Sequence, residues 1–409
     1  MSDVDEIEAG LIDAFDRYRA RVGPRITILS AHEPTVEELT PLMDALNRTE
    51  AFPLVNGWWI WARGKQNVLS PGWLSTWAFP SWRSREELRA TAEKIHQVIT
   101  TREAPICYFT AVWGAEITHA VDIAEDLSIH PFAEQLAREA GEFSKDGIGS
   151  PVRFLGAYRS AITGPPRVAL RIRRDRFPFL SNNAGMQSAI AQDLIDRANT
   201  ACLSIAAFGT QSSLVDLSWF EYEERALDDV WYESSRFWRM PEVLPATVHS
   251  VPVNIDAFVA SYRALAALPP RRQSKLLSSI KRFDLSLARR NVGDQAIDLC
   301  TAFEQLLGSG GDGAISWSNG LRCAALVGGN DANRLATRDI VQLLYRIRNN
   351  WVHGGDIGQN VKSKTMGALP VQDVIQRARF IYSDMLRALM RVGDDVNWFA
   401  LETIGAPNP

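Results

Sequence analysis

The apolar positions of this chain change their period near residue 250. Before that point, short runs rich in β-branched and aromatic residues alternate with helically spaced ones. After it, apolar residues recur only at intervals of three and four. In the first part, residues 25–30 (RITILS) predict a strand. Residues 34–47 predict a helix through Val36, Leu39, Leu42 and Leu46, with Pro41 placed to kink or restart it. Ser84 and Glu87 form a capping-box pattern ahead of a helix through Leu88, Ala92, Ile95 and Ile99. Strands are expected at 106–113, 153–162, 167–172, 201–208 and 213–222, and a helix at 186–199. Residues 240–253 (MPEVLPATVHSVPV) carry three prolines and no helical period, so they read as a linker. Beyond it, helices are predicted at 256–268, 271–289, 293–307, 315–327, 331–353 and 371–391, with a glycine-rich turn at 308–313 and a polar loop before the last. The expected fold class is a multidomain α+β chain: a mixed α/β domain over 1–245, then an all-helical bundle over 246–409.

Charge follows the same division. The net charge is −4, but residues 246–409 hold 19 Lys+Arg against 14 Asp+Glu, or +5. The remainder holds 25 against 34, or −9. A positive module on an acidic one suits a nucleic-acid-facing surface joined to a part with a different partner. The bland alternative is chance variation between two surfaces. Charged residues make up 22% and hydrophobic ones 46%, an ordinary globular balance. No apolar run is long enough to span a bilayer, and the acidic first twenty residues do not resemble a secretory signal, so a cytoplasmic protein without membrane contact is expected. Cys107, Cys202, Cys300 and Cys323 are isolated, which predicts small buried thiols and no disulfide framework or zinc knuckle.

The helix predicted over 331–353 carries the chemistry. Ile340, Leu343, Leu344, Ile347 and Trp351 would face a core, while Gln342, Arg346, Asn349 and His353 form a polar stripe. Its end reads Arg348-Asn349-Asn350-Trp351-Val352-His353-Gly354-Gly355. This R-x4-H spacing resembles the signature of HEPN domains. Ala296-Ile297-Asp298-Leu299 leading into Ala302-Phe303-Glu304-Gln305-Leu306-Leu307 resembles the first motif helix of the Apea-like members. Trp317-Ser318-Asn319-Gly320-Leu321-Arg322-Cys323-Ala324-Ala325 resembles the helix between the two motifs. The resemblance covers residues 293–389, about a quarter of the chain.

That resemblance implies a four- to five-helix bundle that forms a homodimer, with two R-x4-H motifs facing each other across a cleft that takes RNA. It implies a metal-independent endoribonuclease without cofactors, and an antiphage-defence or toxin effector in a prokaryotic cytoplasm. RNA brings its own nucleophile, the 2′-hydroxyl, and imidazole titrates closest to neutrality among side chains, so His353 suits the base. Arg348 suits the scissile phosphate, Asn349 the orientation of either, and Glu304 the support of Arg348. The products would end in a 2′,3′-cyclic phosphate and a 5′-hydroxyl. Arg346 fits a looser R-x6-H spacing and remains an alternative to Arg348. Arg271, Arg272, Lys275, Lys281 and Arg282 make the second bundle helix basic, which suits either an RNA-tracking surface or a solvated face. A catalytically inactive HEPN module for dimerisation or RNA binding is the alternative, as is an unrecognised activity in residues 1–245. An unknown trigger or ligand would act on that N-terminal part.

Three other features carry less. Trp58, Trp59, Trp61, Trp73, Trp77 and Trp82 are expected mostly in a core, the alternative being a ligand or base platform. Residues 167–176 (RVALRIRRDR) read as a strand with one wet face. His96, His119 and His130 lack metal-ligand spacing.

Overall fold

The computed structural model describes residues 2–22, 34–62, 65–78, 86–132, 166–209, 214–228, 237–238, 251–308, 315–392 and 396–398. It is mixed α+β, with the larger sheets in the N-terminal part and a helical C-terminal region. The strands expected at 25–30 and 153–162, Ser84, Trp82 and most of the linker at 240–253 lie outside the described residues.

The N-terminal part opens with α1 (Asp3–Val22) and α2 (Val36–Arg48). Pro41 sits inside α2, and Thr35 caps it in a full capping box with Glu38. Then come β1 (Trp59–Ala62), β2 (Lys65–Val68), α3 (Pro71–Ala78) and α4 (Glu86–Thr100). The main strands are β3 (Glu103–Trp113), β4 (Ala115–Glu116), β5 (Val121–Asp122), β6 (Leu127–Pro131), β7 (Val168–Pro178) and β8 (Leu180–Ser181). Next are α5 (Ala184–Gly209), β9 (Leu214–Tyr222), the single turn α6 (Arg225–Asp228) and β10 (Phe237–Trp238). Six strands make one sheet in the order β10-β9-β3-β7-β6-β5, and β2-β1-β8 make another.

One expected strand is overturned. Residues 201–208 belong to α5, which continues the helix expected at 186–199. A short apolar run reads alike as a buried strand or a buried helix. Here Ala198, Ala201, Ala206 and Ala207, all buried, carry the helix on. Of the five described tryptophans in this region, two lie in the core, while Trp58, Trp59 and Trp73 are half-buried. Trp61 and Trp77 are buried, and Trp61 packs its ring 5.5 Å from both Phe177 and Phe220.

The chain forms two compact units. One comprises Met1–Phe109, Arg171–Asp196 and Leu217–Trp238. The other comprises Thr110–Leu170, Arg197–Asp216 and Arg239–Pro409. The second unit contains the C-terminal helices: α7 (Ile255–Ala266), α8 (Pro270–Ala288), α9 (Val292–Leu307), α10 (Ile315–Val327), α11 (Asp331–Val352) and α12 (Val371–Arg391). β11 (Val251–Pro252), from the expected linker, pairs in parallel with β4.

These helices share one core, built on Ile280, Phe283, Leu299, Phe303, Ile340, Leu344 and Tyr382. Phe283 and Tyr382 stack at 4.4 Å, and the Tyr382 hydroxyl lies 2.7 Å from Ser279 Oγ, so the polar tip is satisfied while the ring stays in the core. The expectation of helices alone misses a hairpin, β12 (Asn360–Ser363) and β13 (Gly367–Pro370), in the loop before α12. Its only buried residues are Val361 and Leu369, too few to show a strand period.

Candidate functional site at the end of α11

Helix α11 ends where the sequence places its chemistry. Asn330 caps its start through the Ala332-Asn333 turn, accepting from Asn333 N at 2.9 Å. At the other end His353 is the C-cap, its backbone N donating to the Asn349 carbonyl at 3.1 Å. Gly354 follows at φ +73°, the left-handed turn that releases the chain from a helix. Ile340, Leu343, Leu344 and Ile347 are buried as expected, and they fix which face is left to solvent. Arg346, Asn349 and His353 are exposed, and Arg348 is half-buried.

The two arginines differ in what they hold. Arg346 Nη1 donates to the Lys362 carbonyl at 3.2 Å, fastening β12 to the helix. Arg348 Nη1 donates to Asn349 Oδ1 at 2.9 Å, a solvent-accessible contact between neighbouring side chains that water or an anion can replace at little cost. The His353 imidazole makes no hydrogen bond or ion pair among the described residues, so its ring is free for a ligand.

Under this surface lies a buried polar cluster. Asn319 of α10 donates through Nδ2 to the Tyr345 hydroxyl at 2.8 Å. Burial, with the neighbouring Cys300 and Glu304, pushes the Tyr345 phenol far up against the opposing Asn319 bond. Burial likewise pushes the Cys300 thiol well above its usual range. Glu304 adds to that shift and Arg348 opposes it. The charges of Glu304 and Arg348 therefore reach one thiol, although no bond joins the two side chains among the described residues.

The C-terminal turn of α11 is clamped to the start of α9. Trp351 Nε1 donates to Asp294 Oδ1 at 3.1 Å, and its ring covers Gly293. Trp351 was expected in the core, but it is 38% exposed, with the uncovered part of its ring facing a groove. That groove, about 570 Å³, is lined by residues 290–292, Trp351, 355–359 and 370–372. Sequence reasoning missed it, because its walls come from four separate segments and only Trp351 belongs to the motif.

The basic residues of α8 are largely engaged within the fold. Arg272 donates to the carbonyls of Leu389 and Val392 at the end of α12, and Lys275 reaches the Leu306 carbonyl at 3.5 Å. Arg282 and Arg289 both meet Asp298, which is only 4% exposed, at 3.4 and 2.7 Å. Arg271 and Lys281 are exposed. The four cysteines are buried and form no disulfide, and no three His, Cys, Asp or Glu side chains gather as a metal site among the described residues. No described helix is long and apolar enough to cross a membrane. Comparison with known family models, curated proteins and solved structures returned no match.

Proposed function

We propose that this chain is a metal-independent endoribonuclease of HEPN type, with its site at the end of α11. His353 takes the proton of the RNA 2′-hydroxyl as general base. Arg348 holds the scissile phosphate and offsets the charge that grows on its oxygens during attack. Asn349, one turn before His353, releases Arg348 and hydrogen-bonds the phosphate or the ribose. Glu304 of α9 helps to hold Arg348 in position. The observation that carries this reading is the division of labour along α11. Arg346 is bonded to the hairpin backbone, whereas the side chains of Arg348 and Asn349 bond only each other and that of His353 bonds nothing among the described residues.

A residue at 348 and one at 353 differ by about 140° around a helix of 3.6 residues per turn. A second copy facing the first closes that angle. The working form is accordingly a homodimer on RNA, and its biological setting, read from the same resemblance, is a cytoplasmic antiphage or toxin effector governed by its N-terminal part.

The deciding measurement is cleavage of a mixed RNA panel in EDTA by the wild type, His353→Ala and Arg348→Ala. The base substitution is expected to lower the rate about 100- to 10,000-fold. The arginine substitution is expected to lower it about 100- to 1,000-fold. His353 is exposed, so its removal should leave stability within about 0.5 kcal/mol of wild type. Wild-type products should end in 2′,3′-cyclic phosphate. Equal cleavage by wild type and His353→Ala would end this assignment of the base.

A further inference from the structure

The groove beside the R-x4-H turn has a composition that the cleavage step does not use. One wall is the partly exposed Trp351 ring, held in a fixed orientation by its bond to Asp294 and by Gly293 behind it. Arg290 also lines it, exposed and without a hydrogen bond or ion pair among the described residues. The side-chain amides of Gln359 and Gln372 also line the groove, and neither makes a hydrogen bond among the described residues. Asp356 is the one carboxylate in the lining, and it accepts Gly358 N at 3.0 Å. The first turns of α9 and α12 open on the same space, through Val292 and through Val371-Gln372. Pro370, the N-cap of α12, supplies no side-chain bond to that turn.

We propose that this groove binds one nucleotide of a single-stranded RNA, next to the nucleotide whose phosphate is cut. This rests on the ribonuclease reading of the same site. The base stacks on Trp351, an attraction indifferent to sequence because every base presents a π face. Gln359, Gln372 and Asp356 meet the polar edges of that base, the carboxylate favouring an exocyclic amino group. The neighbouring phosphate lies toward Arg290 and the N-terminal turns of α9 and α12, whose positive dipole ends add to the attraction of Arg290. A volume of about 570 Å³ holds a nucleotide with water. Because Trp351 lies two residues before His353, a base fixed there sets which phosphate reaches the imidazole.

The test uses the full chain and fluorescence anisotropy with a labelled 2′-O-methyl RNA octamer, which cannot be cut. Arg290→Ala should weaken binding about 3- to 10-fold and make the slope of log affinity against log salt shallower by about 0.7, the value for one phosphate of a single strand. Trp351→Leu should weaken it about 5- to 100-fold, while Trp351→Phe, which keeps a stacking ring, stays near wild type. Moving a single abasic site along the octamer should find one position that costs affinity in the wild type and nothing further in Trp351→Leu. Arg290 and Gln372 are exposed, so Arg290→Ala and Gln372→Ala keep the test valid even if Trp351→Leu unfolds.

Unchanged affinity and salt slope in Arg290→Ala and Gln372→Ala would overturn the subsite while leaving His353-dependent cleavage standing. Binding lost in these variants from a wild type that cuts no RNA would support the subsite and remove the ribonuclease. AMP bound as tightly as the octamer would make this a free-nucleotide site and overturn its assignment to an RNA strand. No binding of the octamer by the wild type would overturn it outright.

Discussion

Gly293 occupies a place where no side chain fits. A Cβ there would stand 2.1 Å from Trp351 Cγ, far inside van der Waals contact, and the indole has Asp294 as its own anchor. Gly293→Ala therefore has to push the indole outward, and with it the turn that carries Asn349 and His353. Overpacking of this kind costs about 1–3 kcal/mol. Because the displaced part is the last turn of α11, hydrogen exchange over residues 349–355 should accelerate while the interior of α8 and α9 keeps its protection. Cleavage should fall by at least tenfold, a larger effect than the stability loss alone would give. Unaltered exchange in that turn would mean that the ring moves without the backbone. Asp298 is the second residue whose local duty is plain. Its buried carboxylate receives Arg289 and Arg282, so Asp298→Ala should cost about 1–3 kcal/mol in a denaturation midpoint, the loss of two charge-assisted bonds whose arginines remain partly in water.

Among the elements, the six C-terminal helices were the most legible, and α10 and α12 match their expected bounds. Each presents an apolar stripe to one core, and all but α8 are followed within three residues by Gly or Pro, so period and punctuation largely agree. The hairpin β12–β13 was not legible, because what forms it is a single buried acceptor distant in sequence. Asp339 Oδ2 takes Lys364 N at 2.9 Å, Thr365 N at 3.1 Å and Thr365 Oγ1 at 2.9 Å, together with Ser363 Oγ. The same limit applies to the site. The triad Arg348, Asn349 and His353 could be read from one segment, whereas the groove needed the start of α9, the end of α11, the loop 355–359 and the start of α12 brought together.

Burial pushes the Asp339 carboxyl upward, but the bonds from Ser363, Thr365 and Lys364 outweigh it and hold it below its usual value. A lowered folded value means that its stabilisation is complete above the unfolded carboxylate pKa, about 3.9, and is lost as pH falls through the folded one. Asp339→Ala should cost about 2–4 kcal/mol, expose the amides of 360–370 to exchange and flatten this part of the acid transition. An acid transition equal to wild type in that variant would assign the dependence to other carboxylates.

At the scale of the whole molecule, the helical core does not stop at residue 246. Within the second compact unit, Ala207 of α5 belongs to that core, and Leu203 and Phe208 pack against it. Ser383 of α12 donates to the Ala207 carbonyl at 2.6 Å, Arg387 stands 5.1 Å over the Phe208 ring, and Arg263 of α7 donates to the Ile123 carbonyl at 2.8 Å. A fragment of residues 246–409 keeps the motif and loses all of these partners. Its α12 would present apolar surface to water, and Ser383 would lose a buried bond, each a term of about 1 kcal/mol or more. We expect that fragment to melt well below the full chain, to bind a hydrophobic dye and to self-associate as concentration rises. Any change in its ribonuclease activity would then mix lost restraint with lost structure. Restraint by the acidic N-terminal part is better tested in the full chain, by neutralising exposed acidic residues such as Asp13 and Glu93 and measuring cleavage beside the melting temperature. Faster cleavage at constant stability would support restraint. A fragment 246–409 that melts cooperatively at the full chain's temperature would show that residues 197–209 contribute nothing essential to this core.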